Sequence, residues 1–72
     1  MYSSLENFLS TIDCITCKQD LEQNNIKTPL SLNFIKTKED VQILKLYLGQ
    51  QERIFEAVME LKKYDSKYLL NN

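Results

Sequence analysis

Apolar residues near the start of the chain recur at helical spacing. Leu5, Phe8, Leu9, Ile12 and Ile15 follow at steps of 3, 1, 3 and 3, one face of a 3.6-residue period. Ser3 and Glu6 fit a capping box, in which each side chain satisfies a free backbone N–H of the first turn. Asn24-Asn25 supplies a stop, because asparagine tolerates the left-handed conformation that ends helices. The pattern predicts a first helix over about residues 4–24. Cys14, Cys17 and Leu21 lie on its far side at steps of 3 and 4. A helix covering a single core would be polar there. Two small thiols at a half-buried edge account for the departure; a second contact face would do so as well.

Residues 25–36 read as a connector. Pro29 pushes Thr28 toward an extended backbone. Leu30, Leu32 and Phe34 alternate with Ser31 and Asn33, and a lone strand would have nothing to pair with. The expectation is an extended segment whose Leu30, Leu32 and Phe34 pack on the helices. It is too apolar for a free linker.

Thr37 and Asp40 open a second helix with another capping signature, and Glu39 and Asp40 suit the positive end of its dipole. With no later proline, this helix is expected over about residues 38–68, roughly 45 Å long. Ile43, Tyr47, Gln50, Ile54, Ala57, Leu61, Tyr64 and Tyr68 form a heptad seam along it. Val41, Leu44, Leu48, Gln51, Phe55 and Val58 form a second, adjacent seam. Lys45, Gly49, Glu52, Glu56, Glu60, Lys63 and Lys67 are left as a polar strip. A helix with one neighbour needs an apolar stripe of only about 100°. This one has roughly twice that, so two neighbours are expected. Gly49-Gln50-Gln51 interrupts the middle of the pattern, as a kink, a close approach or a tolerated weak point. The predicted fold class is all-α: one domain over residues 1–72, a two-helix antiparallel hairpin with a longer C-terminal helix and an apolar connector.

Composition narrows the function. A chain of 72 residues has a marginal core of its own, since a domain of this size buries only about 60% of its unfolded surface. Nine basic and ten acidic residues leave a net charge of −1, which argues against a strong grip on nucleic acid or on an anionic membrane. The first residues have no basic segment of the secretory kind, and no apolar run approaches a bilayer span. Two cysteines are too few for a disulfide scaffold. A cytoplasmic protein with reduced thiols is expected.

Little in the chain suggests catalysis, and no enzyme activity and no cofactor are expected. Histidine is absent, arginine occurs only as Arg53, and the single glycine excludes a phosphate-cradling loop. Cys14-Ile-Thr-Cys17 has redox or zinc spacing, but a four-ligand zinc site would need a second chain, and helix packing is the better reading. Glu52, Glu56 and Glu60 read as a solvated acidic face that would complement a basic partner. Tyr47, Tyr64 and Tyr68 share one seam, and tyrosine is favoured at interfaces because it buries area while keeping a hydroxyl for the rim. The seam Ile43, Tyr47, Ile54, Ala57, Leu61, Tyr64 and Tyr68 is therefore the candidate partner-binding face.

The stretch Gln51-Glu-Arg-Ile-Phe-Glu-Ala-Val-Met-Glu-Leu-Lys-Lys-Tyr64 resembles the second helix of the small co-chaperones of type III secretion needle subunits, where a Glu-Ala core precedes alternating aliphatics and a tyrosine. Detailed likeness covers these residues; the helix–connector–helix plan matches in outline. Richness in Asn, Lys and Ile also suits an AT-rich pathogenicity island. The resemblance implies a helical hairpin that binds a tetratricopeptide-like chaperone, the pair holding the needle subunit monomeric in the cytoplasm. Cys14, Cys17 and the apolar connector have no counterpart in that pattern. The expected function is such a co-chaperone. The alternatives are a small helical adaptor or inhibitor that docks on an unrelated target or on a second copy of itself as a homo-oligomer, or a thiol redox or zinc-binding protein using Cys14 and Cys17.

Overall fold

The computed structural model describes the backbone of residues 4–71 and the side chains of residues 4–63. The described residues are all-α: α1 spans Leu5–Thr11, α2 Lys18–Gln23, α3 Lys38–Gln42 and α4 Leu48–Asn71. Two 3-10 segments join them, Ile15–Cys17 between α1 and α2 and Pro29–Phe34 between α2 and α3. The all-α class is as predicted. The two long helices of the predicted hairpin are each divided.

The first division lies at Asp13. After α1, Asp13 takes a left-handed backbone with φ 59°. Its N–H donates to the Ser10 carbonyl at 3.2 Å, and the Cys14 N–H donates to the Leu9 carbonyl at 2.8 Å. These paired bonds are a Schellman stop, which satisfies carbonyls a helix end would otherwise leave free. The predicted helix over residues 4–24 is therefore α1, a 3-10 turn and α2. The break reverses the expected facing of the thiols. Cys14, Cys17 and Leu21 are wholly buried, while Ile15, expected in the core, is 41% exposed. Ile12 is only half-buried. Ser4 caps α1, its hydroxyl accepting from the Asn7 N–H at 3.1 Å; the box expected on Ser3 lies outside the described residues.

The stop at Asn25 is the one the sequence predicts. Asn25 has φ 64°, its N–H donates to Glu22, and the Ile26 N–H donates to Leu21. Thr28 is extended, as a residue before proline should be, and its hydroxyl accepts from the Ser31 N–H. Pro29 then opens a 3-10 helix rather than an extended connector. Three residues per turn bring Pro29, Leu32 and Ile35 to the core, in place of the expected Leu30, Leu32 and Phe34. Leu30 is half-buried and Phe34 is 38% exposed.

Thr37 and Asp40 form the predicted capping box at the start of α3. The Asp40 carboxylate accepts from the Lys36 N–H at 2.8 Å and the Thr37 N–H at 2.9 Å. These two bonds, Lys36 first, hold its carboxyl below the usual aspartate value. The helix expected over residues 38–68 then breaks at Lys45, whose φ is 57°. Two short bonds end α3, from the Leu44 N–H to Val41 and from the Lys45 N–H to Gln42. The chain then buries Leu46 and starts α4 afresh.

Gly49, Gln50 and Gln51 thus belong to the first turn of α4 and not to the middle of a longer helix. The Gln50 side-chain oxygen accepts from the Tyr47 N–H at 3.3 Å, and the Gln51 amide donates to the Leu46 carbonyl at 2.7 Å. Gln50 and Gln51, one in each predicted seam, instead wrap the start of a helix. Beyond them Ile54 and Val58 are wholly buried. Phe55, Ala57, Met59 and Leu61 pack at the edge of the same core. The Lys62 ammonium donates to the carbonyls of Asn33 at 3.2 Å and Ile35 at 2.5 Å, tying the end of the second 3-10 helix to α4. Burial, ahead of repulsion from Lys36, lowers its pKa below the ordinary lysine value.

Two substitutions on α4 separate core from helix start. Ile54→Ala is expected to cost about 2–5 kcal/mol, as deleting a fully buried aliphatic does. Gly49→Ala is expected to stabilise by about 0.4–1 kcal/mol, because its φ is not positive, an added Cβ meets nothing within 4 Å, and the unfolded chain loses freedom. Urea unfolding monitored by circular dichroism measures both.

Candidate partner-binding surface

The predicted seam is not one face. Ile43 is 64% exposed and Tyr47 82% exposed, both at the corner between α3 and α4. Ile54 is wholly buried in the chain's own core, so it has no surface to offer a partner. Ala57 and Leu61 are half-buried at the core's edge. The side chains of Tyr64 and Tyr68 lie outside the described residues. A heptad count assumes one unbroken helical phase, and the left-handed Lys45 interrupts it between Ile43 and Tyr47.

What the corner brings together is a different set. Leu48, which the sequence places in the second seam, is 77% exposed. With Ile43 and Tyr47 it makes three large apolar side chains within six residues standing in water. Leu44 and Leu46, between them, are buried. No signal in the pattern separates Leu48 from its buried neighbours, because the turn that turns it outward has no glycine or proline.

Shallow depressions flank the corner. On one side Ile43 and Phe34 rim a hollow whose floor includes Ile26 and Leu44 and whose edge is polar with Asn24, Asn25 and Ser31. On the other, Leu48 and Phe55 face Val41, with Lys38, Gln42, Gln51 and Glu52 around them. Lys38 and Glu52 pair there at 3.6 Å, both largely in water, so the pair contributes little to stability. Glu52, Glu56 and Glu60 are all exposed, as the polar strip predicts.

The thiols lie inside the molecule. Cys14 and Cys17 are free and buried. Burial, then the adjacent Cys14, pushes the Cys17 thiol up to about 12 from an ordinary 9.0, with a small further push from Asp20. Among the described residues no group of three His, Cys, Asp or Glu comes together to hold a metal ion. Among them, too, no helix is long and apolar enough to cross a membrane. No family model matches the chain, and no curated protein or solved structure does.

The raised Cys17 value has a consequence with a definite sign. Between 9.0 and about 12 the unfolded thiol gives up its proton and the folded one keeps it. Folding stability from this group is thus complete below pH 9 and falls as pH rises through that window. Urea midpoints of wild type and Cys17→Ala are expected to converge as pH is raised from 8 to about 11, since only the wild type carries this loss.

Proposed function

We propose that the chain is a non-enzymatic protein-binding module whose contact surface is centred on Ile43, Tyr47 and Leu48. The observation that carries the reading is the exposure of these three side chains, 64%, 82% and 77%, at one corner. Single exposed apolar residues are ordinary, but a cluster rimmed by polar groups marks a contact site. Tyr47 also has the chemistry of an interface anchor, a large ring with a polar tip, and Leu48 beside it adds apolar area. Phe34 and Phe55 line the hollows on either side and extend the apolar area.

The narrower form of the proposal is a cytoplasmic co-chaperone, working with a tetratricopeptide-like partner to keep a type III secretion needle subunit soluble. Its support is the resemblance of residues 51–64 and the presence of an apolar surface for a second chain. In this fold Ile54 and Val58 from that stretch are used by the core. The partner surface then shifts to the α3–α4 corner and the outer edge of α4, and the exposed row Glu52, Glu56, Glu60 adds a preference for a basic partner rim.

Size-exclusion chromatography with light scattering, on the protein alone and after capture from its native cell, tests the reading. Tyr47→Glu with Leu48→Glu is expected to abolish association while circular dichroism and the urea midpoint stay close to wild type, because neither side chain is in the core. A protein that remains monomeric at high concentration and captures nothing overturns the proposal. Loss of capture of a needle subunit in particular would separate the co-chaperone form from a general adaptor.

A further inference from the structure

The buried thiol pair has a geometry that neither the core nor the partner surface requires. The Cys17 N–H donates to the Cys14 carbonyl at 2.9 Å, closing a turn between residues three apart. Such a turn holds its end Cα atoms within about 7 Å. Disulfides span Cα separations of about 4.4–6.8 Å. Both sulfurs are free, both are buried, and they lie next to one another in the core. A pair that only filled space would be equally served by two apolar side chains of similar size.

The turn that carries Cys14 is held in an unusual way. Asp13, immediately before it, is left-handed. The Arg53 guanidinium on α4 reaches across 40 residues of sequence to the Asp13 carbonyl at 3.2 Å and its carboxylate at 3.4 Å. The Gln50 amide donates to the Thr16 hydroxyl at 3.1 Å. All these contacts are exposed, so water competes for each of them. Ile15, at the centre of the turn, is partly exposed and adds little burial. Residues 13–16, Cys14 among them, thus form a turn latched to α4 by Arg53 and Gln50.

We propose that Cys14 and Cys17 are a gated dithiol, oxidised reversibly to an intrachain disulfide by exchange with a small-molecule disulfide of the glutathione type when this turn opens. Opening lets the Cys14 thiol lose its proton to water. Its thiolate attacks the glutathione disulfide; a Cys14–glutathione bond forms, the original S–S bond breaks, and one glutathione leaves as thiolate and is protonated by water. The Cys17 thiol, in turn deprotonated by water, attacks the Cys14 sulfur and expels the second glutathione. Two protein thiols are oxidised to one disulfide and one glutathione disulfide is reduced to two glutathione molecules. Excess reduced glutathione runs the same steps backward. Cys14 attacks first because it lies within the latched turn that opens, whereas Cys17 sits at the start of α2 beyond it.

The test equilibrates the whole protein with graded ratios of reduced and oxidised glutathione at mildly alkaline pH. Samples are quenched in acid, alkylated with iodoacetamide under denaturing conditions and weighed by mass spectrometry. The expected species is lighter by two hydrogens and alkylated at neither cysteine; it grows with the oxidised fraction and disappears when reduced glutathione is restored. Cys17→Ala is expected to stop at the Cys14–glutathione adduct. Arg53→Ala and Thr16→Val, which removes the hydroxyl that accepts from Gln50, are expected to form the disulfide several-fold faster than wild type with urea midpoints nearly unchanged. Thiols that stay alkylatable at every ratio, or that yield only covalent dimers, overturn the dithiol. Rates that do not respond to either latch variant, or that change only in step with global stability, overturn the gate.

Discussion

Three left-handed residues that are not glycine set this fold: Asp13, Asn25 and Lys45, at φ 59°, 64° and 57°. A side chain in that region strains the backbone by about 1–3 kcal/mol, with Asp and Asn nearer the lower end because their short side chains tolerate it. Each strained residue is followed at once by a buried one, Cys14, Ile26 and Leu46. Burying Ile26 or Leu46 is worth about 1.5–3 kcal/mol, enough to offset the strain there. The chain therefore stops its helices where stopping places the next apolar residue in the core. In so short a chain, unbroken helices would leave too much apolar surface unburied, so tight turns are the route to a closed core.

The fourth helix is the support on which the turned segments rest. Ile54 and Val58 supply its buried centre, and its polar side chains tie down the rest from the outside. Lys62 holds the carbonyl end of the second 3-10 helix. Gln51 holds the Leu46 carbonyl just before its own helix. Arg53 and Gln50 reach the segment between α1 and α2. The described hydrogen bonds from α4 side chains to distant residues thus end on turns. Apolar burial places the segments, and these bonds fix the turns against the helix that organises them.

One turn has opposite effects on its two sides. At Lys45 the chain direction changes so that Leu44 and Leu46 go in while Ile43, Tyr47 and Leu48 come out. The exposed apolar corner is a by-product of the stop that closes the core. The turn that carries Cys14 has the same origin, since the left-handed Asp13 sends Cys14 inward and Ile15 outward. Both features sit at backbone positions that also close the core, which is why variants there must be read against stability.

The sequence alone determined what depends on neighbours three or four residues away. The helical class, the Thr37–Asp40 box, the Asn25 stop, the extended Thr28 and the exposed row Glu52, Glu56, Glu60 were all legible, because caps, proline sterics and polar periodicity act locally. The hairpin of two long helices and its continuous seam were not, nor the core places of Cys14 and Cys17. Those readings carried one helical phase across Asp13 and Lys45, and a phase is lost wherever a single residue turns left-handed. Asp13 gives only a weak signal, as a poor helix former that tolerates the left-handed region, and Lys45 gives none, since lysine is a good helix former. Only the tertiary structure could decide it, since the strain at each position is outweighed by burying a side chain against segments far away in sequence.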